Sequence, residues 1–243
     1  MTDSFAATAS SLKALGEQYQ AITHNLANAN TAGYKKQVTA FARALERQVA
    51  GGEPVGSADV VRPVRGIDFS QAALNVTGRS LDLALAGDGF FVVESDDGQR
   101  YTRNGSFITD DQGRLTDMSG RTVTGEGGPL TIPPDAGVTD IHVAEDGNIS
   151  AAGQNIGRLQ IVRFEDTSVL QPVGSNVFRA REDATPEPTE DTVVHQGAKE
   201  ASNVDTVESL VGLITVTRMY EANLKSISSQ NERARRLMQV AMS

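Results

Sequence analysis

The sequence predicts an α+β fold in which long N- and C-terminal helices pair in a coiled-coil-like domain, with an all-β domain of short antiparallel strands inserted between them. Two narrow apolar stripes at the chain ends and a dense series of turn dipeptides in the middle carry that reading. At the N-terminal end, Phe5, Leu12, Leu15, Tyr19, Ile22, Leu26 and Ala29 recur with a period near 3.5, which winds a single seam along a helix. At the C-terminal end, Leu210, Leu213, Thr217, Tyr220, Leu224, Ile227, Asn231, Ala234, Met238 and Ala241 alternate steps of three and four. Ser202 and Asn203 read as caps for this second helix, and Asp205 and Glu208 favour its first turn, because carboxylates near a helix N-terminus meet the positive end of its dipole. About 38 residues make a helix roughly 57 Å long.

The inserted part follows another pattern. Runs such as Phe90-Phe91-Val92-Val93 and Leu159-Gln160-Ile161-Val162 alternate with Asp88-Gly89, Asp97-Gly98, Asn104-Gly105, Gln112-Gly113, Ser119-Gly120 and Asp146-Gly147, which read as hairpin corners. Phe90 and Phe91, adjacent on a strand, must point to opposite faces. One is expected to fill the core and the other to await a cover from the preceding arm, the terminal helices or a neighbouring subunit. The predicted organisation is therefore a terminal-helix domain of residues 1–35 and 200–243, an extended arm of residues 36–80, and a β-rich outer domain of residues 81–199. The alternative for the helices is that each packs on the β body as an ordinary amphipathic helix. Narrow stripes favour pairing, since a globular helix carries a wider apolar face.

Composition removes several function classes. Of 243 residues, 39% are hydrophobic and 22% charged, enough for a core and too polar for a membrane-spanning chain. Asp3, Lys13 and Glu17 interrupt the stretch where a cleavable secretory signal keeps an unbroken apolar run. A net charge of −9 repels a phosphate backbone, so nucleic acid is not an expected partner. The absence of Cys excludes disulfides, thiolate zinc sites and Cys nucleophiles, and three scattered His (His24, His142, His195) leave little for metal or acid/base chemistry. The reading is of no metal, no cofactor and no catalytic residue. Gly125-Glu126-Gly127-Gly128-Pro129 lacks the Lys-Ser/Thr of a phosphate loop, the Asp-rich turns lack Ca²⁺-loop spacing, and Arg103 reads as a solvated strand end.

Asn25-Leu26-Ala27-Asn28-Ala29-Asn30-Thr31-Ala32-Gly33-Tyr34-Lys35-Lys36 resembles the N-terminal motif shared by bacterial flagellar rod and hook proteins. Three further blocks agree in order: Asp68-Phe69-Ser70-Gln71 through Thr77-Gly78; Leu81 to Val92 with Tyr101 to Phe107; and Gln196-Gly197 with Ser202-Asn203-Val204-Asp205, Arg218, Tyr220-Glu221 and Lys225. His24, Ala72 and Lys199 depart from the family pattern, standing where Asn, Gly and Leu are usual. The chain length suits a rod component, most like the proximal-rod members, with the distal-rod members second.

The resemblance implies a non-enzymatic subunit of the basal-body rod. Its terminal helices would build the inner tube around an export channel, and its β body an outer layer, so that the assembly transmits torque. The implied partners are further copies, other flagellar rod and hook proteins, and the flagellar type III export apparatus, in a rod that crosses the periplasm and takes chains exported without a cleaved signal. The residues assigned to assembly are Leu12, Leu15, Ile22, Leu26, Leu213, Tyr220, Leu224 and Ile227 in the seams, and Asn25, Asn28, Asn30 and Gly33 at the helix exit. Asn203 at the second helix start and Asn231 as a register-setting amide in the seam complete the set. The rival class is a ligand-binding or hydrolytic β domain with helical dimerisation arms.

Overall fold

The computed structural model describes residues 2–39, 65–137, 140–189 and 191–241. Most of the predicted arm therefore lies outside the described residues. The chain divides into two compact units, one of Met1–Ala27, Gln37–Asp68 and Val204–Ser243, the other of Asn28–Lys36 and Phe69–Asn203.

The predicted fold class is corrected. Among the described residues the chain has nineteen strands against two α-helices, so it is mostly β. The first unit holds α1 (Thr2–Ala27), α2 (Thr206–Ala241) and one antiparallel strand pair, Gln37–Thr39 with Arg65–Ile67. The helices do not pair as a coiled coil: in the stripe on α2, Leu210, Tyr220 and Leu224 are 45%, 42% and 47% exposed, and Leu213 and Ile227 are only half-buried. Among the described side chains of α2, Val216 is buried, at 2%, and lies off that stripe. A single period-3.5 seam leaves out Val207, Val211, Ile214 and Val216, which are also apolar. A helix apolar on several sides is not a two-helix seam. The start of α2 also moves: Asp205 is the capping residue, its Oδ1 accepting the Glu208 N–H at 2.9 Å.

The second unit is antiparallel β throughout. Its largest sheet runs, in spatial order, Leu170–Pro172, Val177–Ala180, Gly98–Thr102, Phe90–Ser95, Thr122–Gly125, Leu115–Asp117 and Phe107–Thr109. Gly128–Pro129, Ile161–Arg163 and Glu187–Pro188 join that sheet off this path. A three-stranded sheet (Ile141–Val143, Asn148–Ala151, Gln154–Arg158) and the pairs Leu83–Ala86 with Val193–Gln196 and Leu74–Val76 with Ala198–Glu200 lie beside it in the chain's second unit. Leu83, Leu85, Phe91, Val93, Phe107, Leu115, Val123 and Leu159, each at most 2% exposed, form the core.

Two of the corners repeat a motif that the sequence reading passed over. In Asp110-Asp111-Gln112-Gly113-Arg114 and Asp117-Met118-Ser119-Gly120-Arg121, the first carboxylate accepts from two backbone N–H groups of its own turn. It also accepts the Nε of the closing arginine, at 2.8 Å and 2.6 Å. The glycines take φ of +77° and +83°, which only a residue without Cβ adopts cheaply. Each Asp-x-x-Gly-Arg turn is thus closed by bonds within its own five residues.

Phe90 and Phe91 do face opposite ways, but both faces are covered within this unit. Phe91 meets Phe107 edge-on at 5.2 Å. Phe90 sits among Phe69, Phe164 and Phe178, with centroids 5.4, 6.1 and 6.3 Å away. Neither ring waits for a partner, being 2% and 0% exposed. Replacing either by Ala is expected to destabilise the isolated chain by about 3 to 5 kcal/mol. Thermal melts of both variants test this, and an unchanged melting temperature for either would contradict the burial.

Candidate functional site

The first unit presents an exposed apolar surface on α2. Val207, Leu210, Val211 and Ile214 are 71%, 45%, 59% and 54% exposed. Their spacing of i, i+3, i+4 and i+7 puts them on one face, and at 100° per residue that face lies opposite the buried Val216. At the same rotation Tyr220 falls on the side of Val216 and Leu224 between the two faces, so this helix, 36 residues and about 54 Å long, is apolar on more than one side. A groove of about 440 Å³ is lined by Gly16, Tyr19 and Gln20 of α1 and by Val216, Thr217 and Tyr220 of α2. The helices also come close at a small residue: a Cβ on Gly212 would meet Ile22 Cδ1 at 3.3 Å. Contiguous exposed apolar surface of this kind marks a contact site for another protein, since it is costly to leave in water.

The second unit joins segments drawn from the sequence blocks quoted above. Glu200 is at the centre, with its side chain 0% exposed. Its Oε1 accepts the Lys35 Nζ at 2.6 Å and the Ala72 N–H at 2.9 Å, and its backbone carbonyl accepts the Gly33 N–H at 2.8 Å. Lys35, equally buried, also donates to the Ser70 carbonyl at 2.8 Å. Arg103 completes the group, its Nη1 3.6 Å from Glu200 Oε2 and its Cζ 5.2 Å from the Phe90 ring centroid. The expectation of a solvated Arg103 is corrected: its side chain is 2% exposed. Burial pulls the guanidinium below its ordinary value, against the opposing pull of Glu200 and Asp88. Asn203 finishes the junction, its Oδ1 accepting the Lys36 N–H at 2.7 Å and its amide donating to the Ser70 carbonyl at 3.2 Å. Tyr34 is packed beside these segments, and burial pushes its phenol up to about 12.

The residues assigned to assembly fall into distinct environments. Leu15 is buried, at 4% exposed, while Leu12, Ile22, Leu26, Leu213 and Ile227 are half-buried and Tyr220 and Leu224 exposed. Asn25, 6% exposed, makes two bonds of 2.8 Å with the backbone of Gln37, accepting its N–H and donating to its carbonyl, as a neighbouring strand does. Asn28 accepts the Thr31 N–H at 3.0 Å through its carbonyl and the Thr31 hydroxyl at 3.2 Å through Oδ1, and Asn30 is exposed. Gly33 has φ +67°, and a Cβ there would lie 2.4 Å from the Asn104 nitrogen. The side chain of Asn231 lies outside the described residues. The α2 residues Val207, Val211 and Ile214 were missed, although their apolar character was visible; the period chosen excluded them. Lys35, Glu200 and Arg103 carried no local signal that they meet.

A second cavity, of about 530 Å³, is lined by Phe69, Asp88, Phe90, Arg103, Arg163, Phe164, Glu187 and neighbours. Arg163 and Glu187 pair with each other across 3.2 Å at its edge. Among the described residues no three His, Asp or Glu side chains are grouped to hold a metal, and no helix is long and apolar enough to cross a membrane.

Two family models match the chain: the flagellar hook protein FlgE/F/G D1 domain over residues 84–151, and the flagellar basal body rod FlgEFG protein C-terminal region over residues 195–240. The flagellar basal-body rod protein FlgF of Caulobacter vibrioides is 34% identical over 91% of this chain and 90% of its own length. FlgF of Escherichia coli is 36% identical over 91% of both chains. The rod protein FlgG of Bacillus subtilis is 31% identical over 92% of this chain and 93% of its own.

Proposed function

The chain belongs to the family of flagellar basal-body rod proteins, and from that premise we propose that it builds the rod through the apolar face of α2. The family is structural, and the chain is a rod component of the basal body, not an enzyme. In the proposed assembly, copies of this chain and other rod and hook proteins pack around a central export channel, with the terminal helices inside and the β unit outside. The rod so formed crosses the periplasm and transmits torque through subunit contacts, and the flagellar type III apparatus delivers the chains. Relatives of both the FlgF and the FlgG type match along nearly the whole chain; a proximal position is the one proposed.

The observation that carries this reading is the exposed quartet Val207, Leu210, Val211 and Ile214, whose spacing repeats the pattern of an interface helix. A structural subunit needs surface of this kind, whereas in the β unit Lys35, Asn203 and Glu200 Oε1 bond to the unit's own segments. The test is a strain lacking its own rod gene, supplied with this chain in tagged form. Recovery of the tagged chain in purified basal bodies supports the reading. Motile cells whose basal bodies lack the tag, or a chain found only free in the cell, contradict it.

A further inference from the structure

We infer that Lys35, Glu200 and Arg103 form a lock that ties both ends of the β unit together, so that segments 33–36 and 198–203 order as one event. The lock joins residues 165 positions apart in sequence. All three side chains are at most 2% exposed, so each charge is removed from water and is tolerable only with its partners present. Glu200 is the shared member. Without segment 198–203, Lys35 and Arg103 lose the carboxylate they share. Without segment 33–36, Glu200 loses its 2.6 Å partner and is left with the Ala72 N–H and the longer contact to Arg103.

The backbone repeats the dependence. The Gly33 N–H donates to the Glu200 carbonyl, the Asn203 N–H to the Tyr34 carbonyl and the Lys36 N–H to Asn203 Oδ1, so bonds between the two segments run in both directions. The central loop is enrolled as well, because Ser70 and Ala72 supply an acceptor to Lys35 and a donor to Glu200. Gly33 must lack a side chain for this to close, since its Cβ position lies 2.4 Å from the Asn104 nitrogen, next to Arg103. Three stretches distant in sequence therefore share one set of bonds, and none of them can leave while the others stay satisfied. Such a group opens cooperatively. The lock does not depend on the role of α2 in assembly, and its failure would leave that role untouched.

Hydrogen exchange of the full-length chain is the test. In Lys35→Met and in Glu200→Gln, the amides of Gly33, Lys36, Ala72 and Asn203 are expected to exchange at least about tenfold faster than in the parent, by a common factor. A Lys35→Met chain that loosens Gly33 and Lys36 while Ala72 and Asn203 stay protected overturns the inference. Where either variant fails to fold, the parent chain decides the matter in low urea: the four amides should share one opening, with one dependence on denaturant. Distinct openings for segments 33–36 and 198–203 would show that the ends order separately.

Discussion

Gly105→Ala is expected to prevent the β unit from closing. A Cβ at this position would lie 1.8 Å from the Leu83 carbonyl oxygen and 2.7 Å from its carbon, and both are backbone atoms that cannot step aside. The approach is close because residues 81–83 run along residues 105–107: the Leu83 N–H donates to the Gly105 carbonyl at 2.9 Å and the Phe107 N–H to the Leu81 carbonyl at 3.0 Å. Admitting a methyl group means parting these strands, which line the core through Leu83 and Phe107, and shifting Phe91, whose Cε2 is 3.0 Å from the same point. The cost is expected to exceed about 3 kcal/mol, above the ordinary penalty for an extra methyl group in a core. Gly127→Ala is the control, since nothing lies within 4 Å of its Cβ position, and it should change stability by no more than about 0.5 kcal/mol. Urea unfolding of both variants checks the pair. A Gly105→Ala chain as stable as the parent would contradict the strand packing described above.

Gly105 also shows where sequence reasoning stops. Asn-Gly was read as a hairpin corner, yet Gly105 has no positive φ, and its need for a bare Cα comes from Leu83, twenty-two residues earlier. At Gly120 the same rule works, because there the reason is local: nothing lies within 4 Å of its Cβ position, and an Asp three residues earlier and an Arg one residue later close the turn, whereas the Cβ position of Gly113 also lies 2.5 Å from the Ile132 carbonyl oxygen. The β character of the middle was legible for that reason, since turn chemistry and strand alternation are short-range signals. The site was less so. Lys35, Arg103 and Glu200 are three ordinary charged residues until the fold brings them together, and their types alone predicted solvent. The helical stripes misled differently. A period near 3.5 can be drawn through α2, but it leaves out Val207, Val211, Ile214 and Val216, and the helix buries Val216 while exposing the other three.

Leu210→Asp with Ile214→Asp is expected to abolish rod assembly while leaving the chain folded. Both side chains are about half exposed in the subunit, so in the free chain a carboxylate at either place stays hydrated and should cost no more than about 0.5 kcal/mol. In a packed interface the same carboxylates lose water without gaining a partner, at several kcal/mol each. Val216→Asp separates the two effects. At 2% exposure Val216 is internal to its own unit, and its replacement should lower the melting temperature of the free chain as well. Circular dichroism of the purified variants and swimming assays of complemented cells provide the two readouts. Normal motility with the double variant would remove the α2 face from the assembly surface.

The central claim, that the rod is built through this face, is tested most directly by a photo-crosslinking amino acid placed at Ile214 in motile cells. Val173, 44% exposed in the β unit, serves as the comparison position. After irradiation, purified basal bodies are expected to yield adducts joining Ile214 to another rod subunit, whether a second copy of this chain or a related protein. Recovery of Ile214 only as uncrosslinked monomer from intact basal bodies, while the Val173 position does crosslink, would contradict the claim.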